Sequence, residues 1–495
     1  MAALRRNPTF WLITSLIALG LVTFWPSLQF DYVNWDDPSY IWFNELITSW
    51  SFSHLYGIAT ETVTRNYAPL TILSYLIDHT FWGGNPGGYH FTNIVLHAIN
   101  GALVFVLLRQ LTGSRMIGWT TAALFLVHPV QLETVVWISS RKGLLSAAFM
   151  LAAMIVYTRP VAGKTDQGWY LGWLAAALLS KALAVVLPPI LMLYDILVRG
   201  RTVRQALVRQ FIPGLLSLLL MLHTMGAQNT VLGGVRGHMS LPLWRILAVD
   251  MTILSRYIGM LFWPSDLCVL YDPPTSGIAV SVILSVFAWG SAVLLIWQQR
   301  SRTPLLMFAL GTFLLLLFPV LNFFRITTLM NDRYLYLPCV AVFAVTAAGL
   351  ERAARALIHW RSRHSDGTKA DVRTSFLRLF SPAVAVAATS VLIGITQARM
   401  PVWRDSLALW SDARISAPQL CVVRIQMALT LQERGHTEEA IRELLSALRD
   451  CNPDQGDEQR IQAMLNEWAM AILQEHGRSS ATSRIARDQR DHVQR

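Results

Sequence analysis

Apolar runs of membrane-crossing length recur along the first four fifths of the chain, separated by short polar or basic stretches. A helical span needs about 20 mostly apolar residues. Eleven such runs are read: 10–25, 92–110, 117–137, 143–158, 169–183, 184–198, 211–226, 277–297, 304–323, 335–350 and 381–397. The pair from 169 to 198 reads as a broken hairpin around Pro188 and Pro189. The first run follows Arg5 and Arg6 and lacks a small-residue cleavage site, so a retained helix is expected rather than a signal peptide. Residues 243–263 are also apolar, but they carry Arg245, Asp250 and Arg256. Charges deep in a bilayer are costly, so this segment is expected to lie as an amphipathic helix at the outer interface.

Composition agrees with this pattern. The chain has 495 residues, 54% hydrophobic and 14% charged, with a mean hydropathy of +0.42. Soluble proteins carry about 25% charged residues. A disordered, fibrous or ordinary cytosolic protein is excluded, and four cysteines exclude a disulfide scaffold. The net charge of +11 comes from short clusters between apolar runs, which fits membrane topology and argues against a nucleic-acid partner. With the N-terminus inside, the basic clusters 199–209, 300–302 and 352–378 all fall inside. The outer side then collects a first loop over 26–91, the turn Ser139–Lys142, the stretch 227–276, the turn 324–334 and everything after 398. A loop of such length is usually functional.

Residues 398–495 are charged, helical in pattern and free of long apolar runs. Ala440, Leu444 and Ala447 lie 34 residues after Ser406, Trp410 and Ala413, with Gly435 at a turn, a period that resembles tetratricopeptide repeats. An extracytoplasmic repeat domain is expected over 398–476, capped by a helix near 457–475, and a disordered tail over 477–495. Cys421 begins one helix of the full repeat and Cys451 ends the next, which makes them neighbours in an antiparallel hairpin. A disulfide is feasible there in an oxidising compartment; the alternative is two reduced core cysteines.

Candidate chemistry gathers on the outer loops. Asp36 and Asp37 stand between Trp35 and Tyr40, poised for general-base or metal-binding work, although Asp-Asp-Pro is also a good turn. A divalent cation stays open, since no second ligand cluster is visible. His90, Asn93, His97 and Asn100 share one helix face, for which interhelical hydrogen bonding is preferred to ligand binding. His128 and Glu133 interrupt the third run. Arg141, Lys142, Lys181 and Arg333, the last within Asn331-Asp332-Arg333-Tyr334, converge by topology on an anion site at the outer face. Snorkelling at the interface is the alternative for any one of them.

The order of F-D-Y-V-N-W-D-D-P, N-Y-A-P-L-T, Y-H-F-T-N-I-V-L-H-A-I-N, H-P-V-Q-L-E-T-V-V-W, R-K-G-L-L-S, L-L-S-K-A, D-R-Y-L-Y-L-P and W-R-D-S-L-A-L-W, over about 28–453, resembles bacterial relatives of the TMTC-type protein O-mannosyltransferases. The resemblance implies an all-α GT-C membrane domain over 1–397 and a C-terminal repeat domain. It implies a polytopic protein of a bacterial inner membrane, with the site facing the periplasm. It further implies sugar transfer from a polyprenyl-phosphate donor to a protein or envelope hydroxyl. Asp36 or Asp37 would act as base, with Arg141, Lys142, Lys181 and Arg333 at the donor phosphate, and with His90, His128, Glu133, Asp332 and Tyr334 lining the pocket. The chain departs from the family pattern at Ala68, Ala182 and Gly143. A membrane-anchored, non-catalytic repeat scaffold is the runner-up. A transporter is disfavoured, because the charges cluster at one face and no inverted repeat is visible.

Overall fold

The computed structural model describes residues 8–64, 66–160, 163–229, 241–322, 328–363, 370–451 and 456–470. The fold is helical; the single extended pairing among the described residues is an isolated bridge between Val63 and Asn66. The expected runs fall largely within helices, of which six are long and apolar enough to cross a membrane: Pro8–Gln29, Pro86–Thr112, Ile138–Tyr157, Val203–Thr224, Ala279–Gln298 and Ala383–Trp403. Shorter apolar helices cover Arg115–Val127, Ala182–Leu197 and Pro304–Val320. This is a multi-pass membrane protein. The helix Ala279–Gln298 buries Ser285 alone, as expected of a segment whose outer surface is lipid. The charged apolar segment forms the helix Leu243–Phe262, which is not one of the six.

Two breaks differ from the apolar pattern. The third run is not one helix over 117–137. It stops at Val127, because Pro129 forces the residue before it into extended backbone, and His128 complies at φ −68°, ψ 134°. His128 Nδ1 then accepts the amide of Val130, and short turns over Pro129–Gln131, Leu132–Val136 and Ile138–Ser140 lead to the helix Arg141–Tyr157. The fifth and sixth runs break at Lys181, extended at φ −160°, between Lys164–Ser180 and a turn at Ala182–Val186. Pro188 and Pro189 sit in the first turn of Leu187–Leu197, where proline is tolerated.

The helix Pro86–Thr112 runs through the centre, and its polar face bonds neighbouring helices. Asn93 Nδ2 donates to the carbonyl of Val135 at 3.2 Å, His97 pairs with the Tyr336 hydroxyl at 2.9 Å, and Asn100 donates to the carbonyl of Leu144 at 3.0 Å. The preference for interhelical bonding is thereby met.

Four short turns or helices build the first loop: Pro38–Trp42, Glu45–Ile47, Phe52–Thr60 and Pro69–Trp82. The loop is pinned to the bundle through Arg141, which is fully buried. Its guanidinium pairs with Asp78 at 2.6 Å, donates to Asn93 Oδ1 at 2.8 Å and to the Tyr89 carbonyl at 2.9 Å, and lies over the Tyr75 ring.

After the helix Ala370–Arg399 the tail folds as helices Ser406–Ser416, Cys421–Glu433, Thr437–Asp450 and 456–470. Trp410, Ala413, Ala440, Leu444 and Ala447 are all buried, and Gly435 takes φ +79° at the turn, a conformation that costs glycine nothing. Residues 477–495, expected to be disordered, lie outside the described residues. The cysteines meet as expected, but no disulfide joins them here: Cys421 Sγ is directed to the carbonyl of Cys451 at 3.4 Å and Cys451 Sγ to that of Pro418 at 3.8 Å. Each sulfur faces a backbone carbonyl rather than its partner.

The tail is also seated on the first loop. Asn34 Nδ2 donates to Thr430 Oγ1 at 2.9 Å, its Oδ1 accepts the Trp410 indole N–H at 2.5 Å, and its backbone N–H donates to Ser406 Oγ at 2.9 Å.

Two predictions follow from these fastenings. Arg141→Ala strands Asp78, and breaking a buried pair from one side costs about 3–5 kcal/mol; the thermal midpoint of the detergent-purified protein should drop sharply, and Asp78→Ala should do the same. Asn34→Ala leaves the Trp410 indole without its acceptor, a loss of about 1–3 kcal/mol. Limited proteolysis should release the tail faster from that variant than from the parent.

Candidate functional site

The site lies at the end of the bundle where the first loop, the turn before Arg141, the stretch 328–337 and the tail meet. Within the acid pair the two side chains diverge. Asp37 is 1% exposed. Its Oδ2 accepts from the Val33 N–H at 3.0 Å, and its Oδ1 accepts from the Ser139 N–H at 3.0 Å and from the Ser139 hydroxyl. All the donors in reach are taken up in fixing the loop to the turn. Burial pushes its carboxyl up to about 6, against the pull of those three donors. Asp36 is about a quarter exposed, and its Oδ2 faces Lys142 Nζ at 3.6 Å. Asp36 is the acid that a substrate can reach.

Two cations, Lys142 and Arg333, act on it directly, and Lys181 stands beside them. Lys142 lies over the Tyr40 ring at 4.9 Å and meets its hydroxyl at 3.3 Å. Lys181, placed at the extended break between two helices and half-buried, is within electrostatic reach of Lys142, Arg333 and Glu133. It makes no ion pair among the described residues. Arg333 pairs with Glu133, whose other oxygen accepts the Arg333 backbone N–H at 2.8 Å. Its guanidinium lies 5.6 Å from the Trp35 ring centre, 5.4 Å from that of Trp137 and 5.3 Å from that of Tyr334. The charge of Asp36 also reaches it. Trp35 and Trp137 stack at 4.8 Å, and Trp410 and Trp403 of the tail extend the aromatic column.

Gly143 sharpens the charge balance. A Cβ at that position would sit 3.8 Å from Lys181 Nζ. An acidic side chain there would reach the lysine; glycine offers it no partner.

Several expected residues are elsewhere. Arg141 is corrected from phosphate ligand to internal fastener: its guanidinium donors are held by Asp78, Asn93, Tyr89 and Ser74. His90 is corrected from pocket to core; it is 2% exposed and meets Phe30 edge-on at 6.4 Å. His128 is likewise structural, its Nε2 against the Leu261 carbonyl at 3.2 Å and its ring beside Phe343. Asp332 is buried behind Arg333 with the Tyr271 hydroxyl donating to it, and burial together with Glu133 holds its carboxyl well above the usual range. Glu133 and Tyr334 remain at the site as the anion partner and the platform of Arg333. Trp35, Trp137 and Tyr40, with Ser139, were not singled out for these roles by sequence; Trp35 and Tyr40 flank the acids, but nothing local marks Ser139 or Trp137. No group of three metal-ligating side chains occurs among the described residues.

No protein-family model matches the chain. Protein O-mannosyl-transferase TMTC2 of Mus musculus is 28% identical over 236 residues, 44% of this chain and 28% of that protein. Protein O-mannosyl-transferase Tmtc1 of Drosophila melanogaster is 37% identical over 94 residues, 19% of this chain and 11% of that protein. Protein O-mannosyl-transferase F38B6.6 of Caenorhabditis elegans is 23% identical over 468 residues, 88% of this chain and 62% of that protein. The chain thus spans less than a third of the mouse relative and under two thirds of the nematode one. Among solved structures, ArnT from Cupriavidus metallidurans bound to undecaprenyl phosphate aligns with a TM-score of 0.40 and 13% identity, covering 84% of this chain and 81% of that one. By sequence, then, the chain is similar to TMTC-type protein O-mannosyltransferases.

The buried acid gives a pH signature. A carboxyl raised from 3.8 to about 6 binds its proton more tightly folded than unfolded. Its contribution to stability is therefore fully present below about pH 4 and is lost as pH rises to about 6, at roughly 1.4 kcal/mol per pH unit. The thermal midpoint of the parent should carry this fall between those pH values, and Asp37→Asn should remove that part of it.

Proposed function

We propose that the chain is an inverting, GT-C-type glycosyltransferase that moves a sugar from a polyprenyl-phosphate donor to a protein or envelope hydroxyl at the extracytoplasmic face of the membrane. The observation that carries this reading is the reachable Asp36 carboxylate, set 3.6 Å from Lys142 with Lys181 and Arg333 nearby. A general base and a cationic cradle for a leaving phosphate are the two parts such a reaction needs. The similarity to protein O-mannosyl-transferases favours a hexose donor and a hydroxyl acceptor.

The chemistry balances with these parts. Asp36 takes the acceptor hydroxyl proton as that oxygen attacks the anomeric carbon from the face opposite the phosphate. The bond between the anomeric carbon and the phosphate oxygen breaks, and the polyprenyl phosphate leaves with the electron pair. Lys142, Lys181 and Arg333 stabilise its charge, so that no leaving-group acid is needed. Asp37 touches no substrate; through Ser139 it holds the loop against the turn that carries Lys142. Glu133 and the stacked indoles keep the Arg333 guanidinium in place, and the tail, seated on Asn34, borders the side from which an acceptor would approach.

Asp36→Asn should lower sugar transfer by about two to four orders of magnitude, the usual scale for general-base catalysis, without lowering the thermal midpoint. Lys181→Ala and Arg333→Ala should raise the apparent Michaelis constant for the donor more than that for the acceptor. Glycan mass spectrometry of the cell envelope and secreted proteins reads the outcome: an unchanged profile in cells carrying Asp36→Asn rejects the enzyme reading in favour of a membrane-anchored scaffold.

A further inference from the structure

At the end of the bundle opposite Asp36 the helices do not close. A cavity of about 340 Å³ runs between Pro86–Thr112, Arg141–Tyr157, Pro304–Leu317 and Pro338–Arg363. Its volume falls in the range that holds small ligands, about 300–1,000 Å³. The walls are apolar, among them Leu111, Met154, Phe308 and Ala344. Helix direction sets its depth. Pro86–Thr112 and Arg141–Tyr157 start at the catalytic end and finish at the opposite one, whereas Pro304–Leu317 starts at that far end. The lining reaches from Pro304 to Leu316, about 18 Å at 1.5 Å per residue. That is close to one leaflet of a hydrocarbon core about 30 Å thick.

Charge stands at one end of this cavity. Arg302 and Arg352 both line it at the far end, and both are exposed. Neither makes an ion pair among the described residues. The adjacent acid, Glu351, is already engaged by the Ser114 hydroxyl at 3.0 Å and by Arg355. Two uncompensated guanidiniums over an apolar slot one leaflet deep match an amphiphile with a phosphate head and a hydrocarbon chain.

We propose that this cavity binds one anionic phospholipid of the leaflet opposite the catalytic face, with its phosphate on Arg302 and Arg352 and an acyl chain between the four helices. The sugar donor does not fit this occupant: its phosphate would lie at Lys142, Lys181 and Arg333, across the membrane. The bound chain would replace the packing that the helices lack around Ala344 and Ala348, and so would stabilise the bundle that carries the site.

The test uses the full-length, delipidated protein in detergent and native mass spectrometry with added phosphatidylglycerol or phosphatidylcholine. One phosphatidylglycerol should bind saturably and at least tenfold more tightly than phosphatidylcholine, and it should raise the thermal midpoint. The double variant Arg302→Ala, Arg352→Ala should lose this preference by about tenfold or more. Ala344→Phe, which fills the slot and keeps both arginines, should weaken binding too, so that a mere surface attraction is told apart from insertion. Equal binding of the two lipids, or unaltered binding by the double variant, overturns the proposal. So does displacement of phosphatidylglycerol by an equimolar polyprenyl phosphate, which would assign the cavity to the donor chain.

Discussion

A guanidinium buried inside a membrane protein must be neutralised and hydrogen-bonded within the protein, because no solvent is there to do it. Arg141 meets that demand by drawing in Asp78 and the Tyr89 carbonyl from the first-loop side and Asn93 from the central helix. The first loop is therefore not free to sample the surface. It is clamped onto the start of the helix Arg141–Tyr157. Asp37 makes a second clamp two residues earlier, through the amide and hydroxyl of Ser139. Between them the two loop acids hold the turn 139–141 from both sides, and the rest of the site inherits its geometry from that hold.

The consequence is an alternation along both segments. Within Asp36–Asp37 the second residue fastens and the first is open; within Arg141–Lys142 the first fastens and the second is open. Adjacent side chains on a turn or helix start point in different directions, so burying one exposes the other. Clamping Asp37 and Arg141 is thus what sets Asp36 and Lys142 face to face at 3.6 Å. The amphipathic logic usually applied to whole helices operates here between neighbours.

That alternation also marks how far the sequence could be read. The helical runs and the gathering of acids and bases on one set of loops are legible, since each follows from composition or period over many residues. The fate of Arg141 is not: by residue type it is the better phosphate ligand, and only its burial against Asp78, distant in sequence, removes it. His128 is ambiguous for the same reason, as a ring nitrogen against a backbone carbonyl leaves no trace in the local pattern, and so is His90, packed against Phe30. The break at His128 was available from Pro129, which excludes helix one residue before it. The break at Lys181 has no such marker, because its extended backbone is imposed by packing, including the bond from Thr71 to the Ser180 carbonyl. The cysteine pair was found by topology, but proximity does not determine where each sulfur points.

Arg333 and Lys181 show two different ways of keeping a cation at the edge of a membrane. Arg333 is neutralised by Glu133 and held flat by three aromatic rings, so its direction is set before any ligand arrives. Lys181 has no acid of its own; glycine at 143 withholds the nearest place for one. A positioned guanidinium supplies orientation, and Lys181 adds a second cationic group with no acid of its own. Together with Lys142, which is committed to Asp36, they make a cluster of three cations against the carboxylates of Asp36 and Glu133. An anion entering it would relieve the repulsion between Lys142, Lys181 and Arg333, so occupancy and the compactness of this end of the bundle are coupled. The tail joins the same network, because Trp410 bonds Asn34 two residues before Asp36 and meets, at a tilt, the Trp35 ring that lies under Arg333. The tail, the Asp36 segment and Arg333 are thus joined by one chain of contacts.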